Sequence, residues 1–445
     1  MNLKAFYLRN KFWLTDFLHG SPIGKPYRKI KYIIEHSYED GLPLREKALR
    51  ELLTYYNKNS PYYLKLSLNR ECVKLSDYPV QTKQTLIANY DEMIIPKDVI
   101  PGQQGDVFIQ RTSGSTGVPL AMPQSTSKRL RRIAEIKYFG KRLGFNTHEK
   151  LIHLRTWNQW QQKSIKQIKK ENIIPFDVKR IGENDLIELC ELINKEKALS
   201  LRGYASCFDR ISKVAKKYRY TFPTLKIIVS TSENLEDDVR VAVKKYMGCE
   251  IVSQYANEEC GILAQERVPT KNSDNKMYFN WASYYIEVLK IDNDTPAEYG
   301  EIGRIVLTDL YNYAFPIIRY DTGDTCVLLP PDEHSNGYPV MGKLYGRRFD
   351  LTFATDGTPI YPLTYGRILK NYDCILLWQF VQIGKKEYKL KLVLKDYDEK
   401  VIGEIYKNIV EILGKDANVS IEKVNEIPIL QSGKRKPVIN NWNKE

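Results

Sequence analysis

The stretch LKIIVS, residues 225–230, is an almost unbroken apolar run set between two amphipathic helical patterns. A short segment apolar on both faces must be covered on both, as in the centre of a parallel sheet flanked by helical crossovers. Upstream, Phe208, Ile211, Val214 and Tyr218 share one helical side. Downstream, the loop TSEN leads to a helix with Leu235, Val239, Ala242 and Tyr246, stopped at Gly248. DVFIQ, KLIHL, ALSL and CEIVS repeat the strand signal along the chain. In such an array, loops after the strands gather along the edge where ligands bind. The polar loops TSGSTG, STSEN and QYANEE each follow a strand and are expected there.

Other regions read differently. The first hundred residues are mostly helical. Ser125 or Ser127 is expected to cap a helix whose Leu130, Ile133, Ala134 and Tyr138 share a face. After Trp281, YYIEVLKI, GRIVLTDL and TCVLL suggest antiparallel strands. After Gly346, WQFVQIGKKEYKLKLVL has the period-two pattern of a hairpin. A helix with Val401, Ile402, Ile405, Ile409 and Leu413 follows, ended by Gly414, and then a short strand NVSIEKV. The expected fold class is α/β. A large N-terminal domain, residues 1–346, holds mainly parallel sheet and a β-rich subdomain, and a small α+β domain spans 347–445, with the boundary within Gly346–Asp350.

Charge narrows the partners without choosing one. There are 68 Lys and Arg against 54 Asp and Glu, a formal net charge of +14. That suits polyanions: nucleotides, nucleic acid or an anionic membrane face. The bases are spread along the chain and no RNA-binding or zinc-finger pattern occurs, so nucleic acid is not expected as a partner. The seven cysteines show no CxxC spacing, which excludes a zinc ribbon or a disulfide framework and suits free thiols in the cytoplasm. No run of about 18 apolar residues predicts a spanning helix. The opening MNLKAFYLRNKFWLTDFLHG lacks the pattern of a signal peptide. It reads as an amphipathic helix docked on the body, with weak membrane-surface contact as the alternative.

RTSGSTGVPLAMPQS, residues 111–125, is the candidate functional loop. Four hydroxyl residues and two glycines lie within Thr112–Gly117. Placed between a strand and a helix, such a loop would offer N–H groups, hydroxyls and the positive end of a helix to a phosphate chain. It is neither a Walker A loop, since Val118 follows Gly117, nor GxGxxG, and an ordinary turn stays open. Four further stretches follow in order: SQYANEECGILAQE, IIRYDTGDT, LYGRRFD and PILQSGKRKPVIN. Together they resemble the adenylate-forming ligases, nearest to phenylacetate–CoA ligase and the CapK-type proteins of capsular polysaccharide gene clusters. The resemblance runs from about Ser60 to about Asn440.

That resemblance implies roles. Thr112, Ser113, Gly114, Ser115, Thr116 and Gly117 would hold the β- and γ-phosphates of ATP, with Thr116 also counted as catalytic. Tyr255 would stack on adenine, and Asp324 would accept hydrogen bonds from both ribose hydroxyls. Arg319 and Arg347 would contact ribose or phosphate, with surface salt bridges as the alternative, leaving Asp321 a turn residue. Glu259 would bind Mg2+. Its neighbour Glu258 departs from the Ser or Thr usual there, which could alter the pocket or move the ligand by one residue. Lys434 would be the catalytic lysine of the mobile small domain, with Lys436 as fallback, and Asp350 the hinge. The acyl substrate would lie near His153, Arg155 and Trp157, with Ser232 and Glu233 close to both substrate and nucleotide. Arg155 and Glu233 suit a polar acid, a sugar acid or amino acid, over phenylacetate.

The implied function is ATP-dependent activation of a carboxylate and transfer of the acyl group to CoA or an amine, in surface-polysaccharide biosynthesis. An aryl-acid CoA ligase is the alternative. A non-enzymatic basic protein binding nucleic acid or a membrane surface is the alternative of another class. A kinase is opposed by the missing Walker lysine and HRD pattern.

Overall fold

The computed structural model describes residues 3–66, 74–111, 120–157, 163–178, 182–269, 275–347, 352–360, 362–369, 371–428 and 436–442. It divides into two compact units. One comprises the described residues up to Thr322 and from Cys326 to Lys343. The other comprises Gly323–Thr325 and the described residues from Leu344 onward.

In the first unit, Ile173–Asp177, Leu151–Arg155, Ser200–Gly203, Ile227–Thr231 and Glu250–Asn257 lie side by side and parallel. Gly261–Glu266 and Met277–Phe279 continue the sheet antiparallel, and Tyr284–Leu289 pairs antiparallel with Ile302–Asp309. The expected α/β class is therefore the one found. LKIIVS supplies the central strand Ile227–Thr231. One face of the parallel array carries Ile152, Leu154, Leu201, Ile228 and Ile251, which pack with Leu189, Phe208, Ile211 and Val243 of the flanking helices. On the opposite face Ile227, Val229 and Val252 pack with Leu143. Ile173–Asp177 and Gly261–Glu266 had no sequence expectation.

The strand before the glycine loop is a correction. Phe108–Arg111 does not join the parallel array but pairs antiparallel with Ala121–Gln124 in a separate ribbon. Residues 112–119 thus connect two paired strands, and a strand intervenes before the helix Thr126–Arg142. The local apolar pattern of DVFIQ signals a strand but carries no information about its partner. Ser125 caps the helix as expected, its hydroxyl accepting from Lys128 N at 3.3 Å.

The face of that helix is a second correction. Ala134 and Tyr138 are buried as expected, but the other buried positions are Lys128, Arg131, Glu135 and Phe139, whereas Leu130 and Ile133 are half-buried. The polar side chains enter a hydrogen-bonded core. Lys128 Nζ lies 2.5 Å from Asp309 and donates to Tyr284 Oη at 3.1 Å. Arg131 donates to Ser283 Oγ at 2.9 Å and to the Ala282 carbonyl at 2.6 Å, with its guanidinium 4.0 Å from the Tyr311 ring centre. Burial pushes the Glu135 carboxyl above its usual range, opposed by Lys128 and Arg131.

In the second unit, Ile375–Gln382 and Glu387–Leu394 form the expected hairpin, with Phe380 opposite Leu390. Asn418–Lys423 and Val438–Asn440 add parallel strands at its two sides. The helix Glu399–Leu413 buries Ile405, Ile409 and Leu413. It ends at Gly414, whose φ of +111° suits a residue without Cβ.

Asp309→Asn would leave the Lys128 ammonium buried beside a neutral amide. Removing one member of a buried pair typically costs about 3–5 kcal/mol. A fall of that order in unfolding free energy, read from the urea midpoint at constant slope, is expected. The exposed Lys31–Glu35 pair should respond to Lys31→Ala by less than about 1 kcal/mol.

Candidate functional site

Beyond Val229 and Val252, the face of the parallel array that is apolar near Leu143 becomes polar toward the carboxyl ends of the strands. Side chains alternate along a strand, so His153 and Arg155 share this face, and strand register sets Arg202 beside His153. Gln254 lies one row further along, opposite Thr231. Arg202 Nη2 donates to Gln254 Oε1. Gln254 Nε2 donates to Gln265 Oε1 at 2.5 Å, and Gln265 Nε2 to the Phe139 carbonyl at 3.1 Å. Amides thus orient Arg202, and among the described residues it forms no ion pair.

Arg155 has a carboxylate partner. Its Nη2 lies 3.3 Å from Glu258 Oε1, while Gln110 donates to Glu258 Oε2 at 2.8 Å. The Arg155 guanidinium lies 5.6 Å from the Trp157 ring centre, and His153 meets the same ring edge-on at 5.3 Å. Trp157 donates from its indole to the Phe176 carbonyl at 3.2 Å. Glu258 is thus paired with Arg155 and acts on Arg202 only through its charge. Burial, reinforced by Arg155, lowers Arg202 to about 10, so it stays cationic at neutral pH. Burial first, then the charges of Arg202 and Arg155, hold the His153 imidazole well below its ordinary value. His153 is neutral beside two cations.

The turn Glu258–Cys260 is held by its backbone. Arg132 donates to the Glu258 carbonyl at 3.0 Å, Gln124 to the Glu259 carbonyl at 3.2 Å and Tyr284 to the Cys260 carbonyl at 2.9 Å. Cys260 N donates to Asn257 Oδ1 at 2.8 Å. Gly261 closes the turn at φ +130°, where a Cβ would lie 3.1 Å from Glu135 Oε2 and 3.2 Å from Tyr284 Oη. Both Glu258 oxygens have partners, which disfavours moving a metal-binding role there. Among the described residues no group of three His, Cys, Asp or Glu could hold a metal ion. One carboxylate at Glu259 instead fits Mg2+, a metal commonly held by one or two carboxylates together with substrate phosphates.

The other predicted residues fall as follows. Tyr255 is buried in the strand Glu250–Asn257, three positions before Glu258, where the turn begins. Ser232 follows Ile227–Thr231 in a left-handed conformation, φ +69°. Glu233 Oε2 accepts from Ser206 N at 2.9 Å, at the start of the helix Ala205–Tyr218. Arg319 forms a salt bridge, the alternative to a ligand contact, in the interior rather than at the surface. It is buried, bonded at 3.1 and 3.0 Å to both oxygens of Glu287 and at 3.0 Å to the Tyr78 carbonyl. Those bonds knit helical and β segments together. Asp321 is likewise buried, 3.0 Å from Arg304. Asp324, in the second unit, is half-buried on the strand Tyr320–Leu329, just after Gly323 at φ +78°. Lys436 is half-buried, its carbonyl accepting from Gln379 Nε2 at 2.9 Å. Thr112, Ser113, Gly114, Ser115, Thr116, Gly117, Asp350 and Lys434 lie outside the described residues, and Arg347 is described only as the end of the strand Val340–Arg347.

Arg202, Gln254, Gln110, Gln124 and Arg132 escaped the sequence reading. An arginine inside the otherwise apolar LSLRG was the available signal.

The comparisons with known proteins agree with this architecture. Residues 353–441 match the model of the CapK C-terminal domain. Protein CapK of Staphylococcus aureus is 23% identical over 94% of this chain and 95% of that protein. Among solved structures, 2-hydroxyisobutyryl-CoA ligase in the postadenylation state superposes with a TM-score of 0.69 at 16% identity, covering 92% of this chain and 91% of the other. The anthranilate CoA ligase bound to anthranoyl-AMP gives 0.55 at 16% identity over 74% and 64%. A benzoate CoA ligase from Burkholderia xenovorans LB400 gives 0.54 at 14% identity over 75% and 68%.

The histidines predict a pH dependence. Burial, then Lys137, lowers His148 to about 4, and His153 is lowered too. Unfolded imidazoles titrate near 6.5, so below about pH 6.5 the unfolded state binds protons that the native state refuses. Stability should fall as pH drops through that window. Thermal melts of His153→Gln between pH 7 and pH 5 should show a shallower decline than the parent, and an equal decline would contradict the assignment.

Proposed function

We propose that this chain, a relative of Protein CapK built on the fold of acyl-adenylate-forming CoA ligases, is an ATP-dependent carboxylate ligase. A carboxylate oxygen attacks the α-phosphorus of ATP and pyrophosphate leaves, giving an acyl-adenylate. The thiol of CoA or an amine then attacks the acyl carbon and releases AMP. Both partners of the first step are anions, so catalysis lies mainly in supplying positive charge and alignment.

The observation that carries this reading is the clamped turn Glu258–Cys260, which follows the parallel strand that carries Tyr255. Three side chains from different elements fix three successive carbonyls there, in the segment where the resemblance assigns the adenine-stacking tyrosine and the metal-binding glutamate. Mg2+ at Glu259 would neutralise phosphate charge as pyrophosphate departs. Thr112–Gly117 are assigned to the phosphates, Asp324 to the ribose, Asp350 to the hinge and Lys434 to the charge developing between carboxylate and phosphorus. In line with this, the structures of similar fold include one bound to an acyl-AMP and one to acyl-AMP and CoA.

The polar strand-end face supports a polar acid as substrate. Arg155, Arg202, neutral His153 and Gln254 would meet oxygens or a second anionic group better than a bare ring. Together with kinship to Protein CapK, this favours a sugar acid, free or sugar-linked, or an amino acid, within cytoplasmic synthesis of a surface polysaccharide. The anthranilate and benzoate ligases of similar fold keep an aryl acid as the second reading.

Carboxylate-dependent pyrophosphate–ATP exchange over sugar, amino and aryl acids tests the reaction. Lys434→Ala should lower exchange at least about a hundredfold with ATP binding retained; undiminished exchange would remove Lys434 from the mechanism. Arg202→Leu should raise KM for the polar acid at least about 30-fold, the equivalent of losing a desolvated charge contact, with less effect on neutral acids. Equal losses on all acids would make Arg202 a structural residue.

A further inference from the structure

The helix Leu3–Leu18 carries apolar side chains on both its inner and its outer side, with exposed Asn10 among the outer ones, yet it is covered on one side only. Its inner side is docked. Ala5 and Asp16 are buried, Phe12 meets the His148 ring edge-on at 5.1 Å, and Trp13 meets Tyr27 at 5.3 Å. Both Asp16 oxygens accept backbone N–H groups, of Ile23 at 2.8 Å and Gly24 at 2.9 Å, so its only acid is spent on the start of the next helix. The docked position expected from sequence is therefore the one found.

The outer side is the anomaly. Leu3, Phe6, Tyr7, Leu14, Phe17 and Leu18 are between 41% and 74% exposed. At 100° per residue they occupy one arc of about 120°. Cations line its margins: Arg9 lies 5.6 Å from the Phe6 ring centre and Lys11 5.8 Å from that of Tyr7, and Lys4 is exposed on the same margin as Lys11. The following helix, Gly24–Glu35, adds Lys25, Arg28, Lys29 and Lys31. Up to Ile34 these make seven bases against Asp16 alone; Glu35, the next acid, lies 3.8 Å from Lys31.

We propose that this outer face rests on an anionic bilayer surface, with the six apolar side chains among the acyl chains and the flanking bases at the headgroups. An exposed apolar stripe bordered by cations is the form of an interfacial helix, and each base near an anionic surface adds attraction. No helix among the described residues is long and apolar enough to cross a membrane, so the contact lies on the surface. Charge argues against a second copy of the chain, because pairing these faces would bring Lys4, Arg9 and Lys11 of one copy against the same bases of the other. The inference is independent of the catalytic reading.

The test is co-sedimentation of the full chain with vesicles of phosphatidylcholine alone and of an equimolar mixture with phosphatidylglycerol. Binding to the anionic vesicles, weakened by salt and at least about tenfold above neutral vesicles, is expected. Leu14→Ser combined with Phe17→Ser should lower it at least about tenfold with an unchanged melting temperature, since both side chains point outward. Lys11→Glu should lower it while retaining the apolar stripe. Equal binding to both vesicle types, no binding, or undiminished binding of the double variant would overturn the proposal. So would a dimer in sedimentation equilibrium that the double variant abolishes, which would give the face to a second copy.

Discussion

The Lys128–Asp309 ion pair is the interaction on which the large unit depends. Both side chains are essentially without solvent contact, and Lys128 also donates to the hydroxyl of Tyr284. That hydroxyl in turn donates to the Cys260 carbonyl. One ammonium thus joins a helix, two strands of the antiparallel region and the turn beside Glu259. An apolar core of the same volume could be as stable. It would lack directional bonds, and the position of the turn would be set by packing alone. A satisfied polar network fixes a geometry more narrowly than dispersion contacts do, at the cost of requiring every partner.

This network explains where sequence reading succeeded and failed. Parallel strands such as Ile227–Thr231 were legible because burial on both faces leaves a continuous apolar run. The hairpin Ile375–Gln382/Glu387–Leu394 and the helix Glu399–Leu413 were legible from periods of two and 3.6. The helix Thr126–Arg142 was seen, but its inward side was misjudged. Periodicity weighs apolar residues, and here Lys128, Arg131 and Glu135 are the buried ones. No local signal tells a charge facing solvent from one facing Asp309, 181 positions away in the sequence. Phe108–Arg111 failed for a related reason: strand character is local, and pairing is not.

For the site, residue type was legible where a family motif carried it, and partnership was not. Arg319 opens RYDTGD, so its motif suggested a ligand contact. Its bonds to Glu287 and Tyr78 are long-range and invisible in the motif. Arg202 failed in the opposite direction, having no motif and a position visible only through strand register with His153. The net charge of +14 likewise divides once the fold is known. Some bases are internal, as Lys128 and Arg131 are. Others border the apolar stripe of the first helix, where their charge can act on a surface.

On the proposed function, the polar strand-end face would also constrain substrate choice through an asymmetry of costs. Arg202 is half-buried, oriented by Gln254, and feels the charge of Glu258 together with Arg155. An apolar acyl group seated against it would exclude water from a guanidinium without replacing the lost hydrogen bonds, and burying a polar group unpaired is expensive. A polar or anionic group would restore those bonds. Sites with buried hydrogen-bonding groups reject ligands that leave them unmatched far more strongly than apolar pockets reject a ligand one methylene too short. Discrimination here would therefore arise from what an aryl acid fails to satisfy, with neutral His153 keeping a third positive charge out of the same face.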